Sequence, residues 1–125
     1  VVVDDNYAYI TLRAGNFCGA FESSLEIVDI SDVYNLELVK SYPMDNPYGL
    51  GIKDNLLFIC DGSSGLKVYN KTKIEDLELL NTFKNITAFD VIPMQNKLLL
   101  IGDNTLFQYN YSDNELSLLS EYHLN

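Results

Sequence analysis

A short segment returns three times along this chain. Leu-Glu-Ile-Val-Asp at Leu25–Asp29, Leu-Lys-Val-Tyr-Asn at Leu66–Asn70 and Leu-Phe-Gln-Tyr-Asn at Leu106–Asn110 lie about 41 and 40 residues apart. A fixed period of this length is the mark of a repeat architecture, in which one supersecondary unit is copied and stacked on itself. The neighbourhoods repeat as well. Upstream stand Tyr7-Ala-Tyr-Ile-Thr, Leu56-Leu-Phe-Ile-Cys and Leu98-Leu-Leu-Ile-Gly; downstream stand Leu36–Tyr42, Leu77–Phe83 and Leu116–Tyr122. A fourth and weaker set, Val1-Val-Val, Tyr48-Gly-Leu-Gly-Ile and Ala88-Phe-Asp-Val-Ile, precedes each upstream run.

These runs are short, rich in Val, Ile, Leu, Tyr and Phe, and bounded by Asp-Asn, Asp-Gly and Pro-containing turns, which predicts strands joined by tight hairpins. Apolar spacing of the helical kind is not sustained anywhere. Ile74–Leu80 alone invites a helical reading, but its equivalents carry β-formers at period two, so it too is assigned to a strand. The expectation is an all-β chain of three four-stranded antiparallel sheets, blades of a β-propeller, with boundaries near 1–43, 44–84 and 85–125. In the first core strand Leu25 and Ile27 point one way and Val28 and Ile30 the other, so both faces of a sheet are apolar and both need cover. Propellers have about four to eight blades, so three would leave an apolar face open at each end of the stack. With a start at Val1 and no charged-then-apolar leader, the chain is expected to be the C-terminal part of a propeller of about six or seven blades, the rest of that longer chain being its partner. A short form that closes by oligomerising is the alternative.

The balance of 8 Lys+Arg against 18 Asp+Glu gives a formal charge of −10. That charge repels phosphate backbones and anionic lipid, so no nucleic-acid partner is expected. No apolar run approaches the roughly 20 residues of a membrane-spanning helix, so the chain is not expected to span a membrane. At 47% apolar and 12% aromatic it is too hydrophobic for a disordered tail.

Gly65-Leu-Lys-Val-Tyr-Asn, Leu25-Glu-Ile-Val-Asp-Ile-Ser-Asp and Leu36-Glu-Leu-Val-Lys-Ser-Tyr resemble the LVIVD repeat, whose pattern runs roughly strand, Gly-Leu-x-Val-x-Asp-x-Ser-x-Pro, then a Leu-Val-containing strand. The resemblance covers nearly the whole chain as three units. The chain departs from the pattern in lacking the Pro after Asp32 and in carrying Asn70 and Asn110 where Asp29 stands. The resemblance implies a bacterial β-propeller, often secreted or lipid-anchored in the cell envelope as a lipoprotein, with no assigned catalytic residues. The WD40 pattern fits less well, since the chain has no Trp.

Catalytic patterns are sparse, and no catalytic residue is assigned. His123 stands near the end of a terminal strand, and neither Ser nor Cys occupies a nucleophile-elbow or papain-like context. Asp61-Gly-Ser-Ser-Gly65 lacks the Lys and helix of a phosphate loop and is taken as a hairpin connection. Asp5, Asp54, Asp61, Asp103 and Asp113 fall in turns, where Asp bonds its own backbone; they lack EF-hand spacing, and neither metal nor cofactor is expected. Candidate binding residues cluster elsewhere. The loop between Arg13 and Ser24 is the only long insertion in the repeat and offers Arg13, Asn16, Phe17 and Phe21, the two aromatics either facing a ligand or folding back on the next blade. Asp61 and Tyr48 are placed at the same end, and Asp90, read as mid-strand on an innermost strand, would face the central channel. Cys18 and Cys60 end adjacent sheets at that end, either bridged by a disulfide or present as two thiols.

The function expected from this reading is a non-enzymatic binding scaffold for a protein or glycan, in a bacterial cell-envelope or extracellular setting. The alternative is part of a propeller enzyme whose active site lies in the central channel and partly on other blades.

Overall fold

The structure is a computed structural model that describes residues 1–15 and 22–125. Twelve strands follow in order, with no helix among the described residues: β1 (Val2–Asp4), β2 (Tyr7–Leu12), β3 (Ser24–Asp29), β4 (Glu37–Pro43), β5 (Leu50–Lys53), β6 (Leu56–Cys60), β7 (Leu66–Asn70), β8 (Glu78–Phe83), β9 (Asp90–Met94), β10 (Lys97–Gly102), β11 (Thr105–Ser112) and β12 (Glu115–His123). They form three four-stranded antiparallel sheets, each a meander in chain order: β1 to β4 (sheet I), β5 to β8 (sheet II) and β9 to β12 (sheet III).

The sharp turns explain the meander. Asp5, Asp54, Asp103 and Asp113 take positive φ values of 52°, 53°, 43° and 51°, which Asp and Asn tolerate because a short polar side chain bonds locally. Asp103-Asn104 and Asp113-Asn114 have positive φ at both residues, the two-residue hairpin turn whose twist matches that of its strands. The repeat extends to an irregularity. In each sheet the pairing of the third and fourth strands slips at one place, at Ile27/Val28, Val68/Tyr69 and Gln108/Tyr109. The extra residues are Val39, Leu80 and Leu119, equivalent positions in the three units. A bulge raises local twist, and three matched bulges give three sheets the same outer curl.

The sheets stack through a constant rule. Each has a forward face, turned to the next sheet in the chain, and a rear face. Tyr9, Leu25 and Ile27 on the forward face of sheet I pack with Leu50, Leu57 and Ile59 on the rear of sheet II. Phe58, Leu66 and Val68 on the forward face of sheet II pack with Val91, Leu98, Leu100 and Tyr109 on the rear of sheet III. β6 is therefore buried on both faces, from Leu57 to Cys60. Each such Leu or Ile contributes roughly 1.5–3 kcal/mol by leaving water.

The inner strands set the spacing: β1 lies against β5 and β5 against β9. Gly51 makes the second contact close, because a Cβ there would fall 2.4 Å from Cδ of Pro93. Side chains reinforce the stack further out. The Tyr42 hydroxyl donates to the Ile74 carbonyl (2.6 Å) and accepts from the Leu77 amide (3.1 Å), joining sheet I to the loop of sheet II. Asn114 Nδ2 donates to the Leu80 carbonyl at 3.0 Å and Asn81 Nδ2 to the Asn114 carbonyl at 3.1 Å, joining sheets II and III.

The two outermost faces are open, as the repeat implied. On the rear of sheet I, Val1 and Val3 are 79% and 60% exposed, and on the forward face of sheet III, Ile92 and Tyr122 are 58% and 69% exposed.

Candidate functional site

The end of β2, the hairpin after β6 and the starts of β5 and β9 lie at one end of the stack, where the inner strands meet. Backbone stitches hold this end together. Thr11 Oγ1 donates to the Tyr48 carbonyl (2.5 Å), the Gly49 amide to the Phe89 carbonyl (2.8 Å), and Gly62 and Ala88 exchange two amide–carbonyl bonds of 3.0 Å. The first stitch crosses from sheet I to sheet II and the others from sheet II to the segment leading into sheet III.

On this platform Thr11, Arg13, Tyr48, Phe89 and Asp90 line an open depression of about 380 Å³. The Arg13 guanidinium lies 3.9 Å from the centre of the Tyr48 ring, a cation–π contact worth about 0.5–1 kcal/mol at an exposed site. The Tyr48 ring meets Phe89 edge-on, with centroids 4.8 Å apart and planes at 78°, an arrangement that fixes both rings. Asp90 is exposed, and its Oδ1 accepts from the Val91 amide at 2.9 Å. It lies over Gly49, where a Cβ would fall 2.1 Å from the carboxylate oxygen. Among the described residues Arg13 is within 4 Å of no carboxylate, so a cation and an anion stand open across one aromatic floor.

Three of the residues singled out from sequence thus meet: Arg13, Tyr48 and Asp90. Asp90 is not mid-strand but the first residue of β9, because Ala88 is drawn away to bridge Gly62 in the neighbouring sheet. Asp61 is corrected more strongly. Its side chain is fully buried and presents nothing to a ligand. It accepts from the Asn46 amide at 2.7 Å, the Asp45 amide at 3.3 Å and Lys67 Nζ at 2.5 Å, and so clamps the 44–47 loop to its own hairpin. Burial alone would lower the Lys67 pKa, but the hydrogen bond and charge of Asp61, with Asp45 beyond, outweigh it and hold the amine above its ordinary value. Asn16, Phe17 and Phe21 lie outside the described residues, as does Cys18 and with it the Cys18–Cys60 pairing. Cys60 is buried, and burial, with the nearby charge of Asp90, pushes its thiol far above the ordinary value, so it is not a thiolate nucleophile at neutral pH.

Phe89 and Thr11 escaped the sequence reading. The register pairs Leu50 with Ile59 and Val91 with Leu100, which makes Tyr48 and Phe89 equivalent repeat positions and Gly49 the counterpart of Asp90. Sliding the fourth set by one residue, so that Tyr48 stands opposite Phe89 rather than Ala88, would have flagged Phe89. His123 is exposed on the outermost strand, with Nε2 3.5 Å from Glu121 and Nδ1 3.2 Å from Thr105 Oγ1, on a different element from this depression. No group of His, Cys, Asp and Glu suited to hold a metal occurs among the described residues. No helix of the described residues is long and apolar enough to cross a membrane.

No family model and no curated protein matches this chain. Among solved structures it is similar to a chain from a Saccharomyces cerevisiae assembly described as a Dbp5 variant bound to Nup159, a Gle1 variant, IP6 and ADP, with a TM-score of 0.49 and 16% identity over 81% of the present chain. The present chain spans 26% of that one.

Proposed function

We propose that this chain is a non-enzymatic β-propeller repeat module of the LVIVD type, carried by a bacterial cell-envelope or secreted protein, which binds a protein or glycan at the stitched end of its sheets. The observation that carries this reading is the convergence of Arg13, Tyr48, Phe89 and Asp90 from three sheets on one open depression. A guanidinium already stacked on a ring costs less entropy to use than a free one, and its N–H groups suit a carboxylate or carbonyl. Asp90 offers acceptors to hydroxyls or amides, and the rings offer a face to a sugar or an apolar side chain. Nothing in this set supplies a nucleophile with a base beside it, so recognition rather than bond making is the chemistry on offer.

The test is binding of the purified chain to arrayed glycans and peptides, followed by titration of each hit against Arg13→Ala and Asp90→Asn. Each substitution should weaken a true ligand about tenfold while lowering the melting temperature by no more than a few degrees. Ligands that bind both variants as well as the parent would place the site elsewhere.

A further inference from the structure

The sheets are sealed differently at the end away from the stitches. Between sheets I and II, Asp4 at the end of β1 bonds Lys71, which is only 8% exposed and holds its ammonium 5.9 Å from the centre of the Tyr9 ring. Tyr7, opposite Asp4 in the register, packs into the same core. The repeat supplies the counterparts one junction on. Lys53 pairs with Leu56 as Asp4 pairs with Tyr7, and the Tyr111 amide donates to the Asn96 carbonyl as the Lys71 amide does to that of Asn55. Between sheets II and III, therefore, Lys53 stands for Asp4, Leu56 for Tyr7 and Tyr111 for Lys71. The seal is lost at all three positions. Among the described residues the carboxylate within 4 Å of Lys53 is that of Asp54 on its own turn, at 3.9 Å, and not one across the junction. The Tyr111 hydroxyl donates to Asn114 Oδ1 at 3.1 Å, and leucine fills less space than tyrosine. A cleft of about 450 Å³ opens there, within the range of small-molecule sites. It is built wholly between sheets II and III, so neither of its walls is an end face of the stack.

We propose that this cleft holds one neutral sugar ring. Phe58 and Leu98 close it at the back, and half-buried Leu56, Pro93 and Tyr111 form walls against which the C–H face of a pyranose packs. Tight turns carry polar groups around the mouth: Lys53 and Asp54 between β5 and β6, Gln95 and Asn96 between β9 and β10, and Asp113 between β11 and β12. Sugar hydroxyls both donate and accept, and the mouth answers both, with carboxylates that accept and an ammonium and amides that donate. A charged ligand suits it less: an anion meets Asp54 and Asp113 on a chain of formal charge −10, and a cation meets Lys53. A wholly apolar ligand would take water from these groups and return no hydrogen bond. The cleft and the Arg13 and Asp90 depression lie at opposite ends of β5 and β9, and neither reading rests on the other.

Ligand-observed NMR titration of the chain with glucose, galactose, mannose and N-acetylglucosamine should show at least one of them binding, with a Kd of about 1 mM. Glucuronate and protonated glucosamine, which put a charge of either sign on such a ring, should bind more weakly. Leu56→Tyr restores the residue that sheet I carries and should abolish binding with the circular dichroism spectrum kept. Gln95→Ala, at an exposed turn position, should weaken binding about fivefold. Arg13→Ala should leave it unchanged. Four neutral sugars that fail to bind at about 50 mM, a charged ring that binds more tightly than the neutral ones, or binding that survives in a folded Leu56→Tyr chain would overturn the proposal. Should Leu56→Tyr fail to fold, Gln95→Ala decides, and full affinity in that variant overturns the proposal. Sugar binding lost in Arg13→Ala would belong to the stitched end, overturning the cleft and leaving the module reading standing.

Discussion

Asp61 and Tyr9 show how much of this fold hangs on single polar groups. Asp61 is a fully buried carboxylate, whose desolvation is offset by two backbone amides and one ammonium. Removing it leaves Lys67 without its nearest anion and orphans the Asn46 amide, so Asp61→Ala should cost about 3 kcal/mol or more in urea unfolding. The double variant Asp61→Asn with Lys67→Met keeps an acceptor and removes the stranded charge, and should recover most of that loss. Tyr9 is a different case. Burial first, then the charges of Asp4, Tyr7 and Asp5, push its pKa up to about 12 from an ordinary value of 10.0. Between those values the unfolded chain has released the phenolic proton and the folded chain has kept it, so unfolding is favoured as pH rises. The stability that the neutral phenol contributes is therefore complete below pH 10 and lost by about pH 12. Tyr9→Phe should be less steeply destabilised over that window, which thermal melts at stepped pH will read. An identical slope for parent and variant would mean that the phenol titrates normally.

At the scale of the strand, period-two patterning and the forty-residue repeat made nearly all of the elements legible, whereas the bulges shared by β4, β8 and β12 became visible only in the pairing register. Legibility failed where one sheet reaches another. Ala88 and Phe89 have strand-like composition, yet their backbone is spent on Gly62 and Gly49 across the sheet boundary, so β9 begins only at Asp90. Nothing local to Asp61 distinguishes it from the turn aspartates at positive φ, because its partners at Asp45 and Asn46 belong to the preceding inter-sheet loop. Arg13 and Tyr48 were chosen from loop position and residue type; that one stacks on the other follows from the packing of sheet I on sheet II. The inner strands give the sharpest test of that packing. Gly51→Val places two methyls where the Pro93 ring stands, so β5 and β9 must part, and overpacking of this kind costs about 1–3 kcal/mol. A Gly51→Val chain as stable as the parent would show that the inner strands are not in close contact.

For the molecule as a whole, the deciding quantity is how much apolar surface stays wet. The middle sheet is covered on both sides and each outer sheet on one, so two faces of the kind that elsewhere bury Leu, Ile and Tyr are left against water. Contiguous exposed apolar faces are unusual on a monomer that has no use for them. Association of this chain through either face would link folding to pairing, so that stability depends on chain concentration by mass action. A tenfold rise in concentration is worth about 1.4 kcal/mol per dimer, which for roughly 250 ordered residues corresponds to a rise of a few degrees in melting temperature. A chain that associates through these faces should show twice that rise between about 2 and 200 µM, and Leu119→Asp, at a half-exposed position, should melt at one temperature throughout because it removes the concentration term. A parent melting curve that does not move across that hundredfold range would mean that the stack of three sheets is stable with both end faces bare.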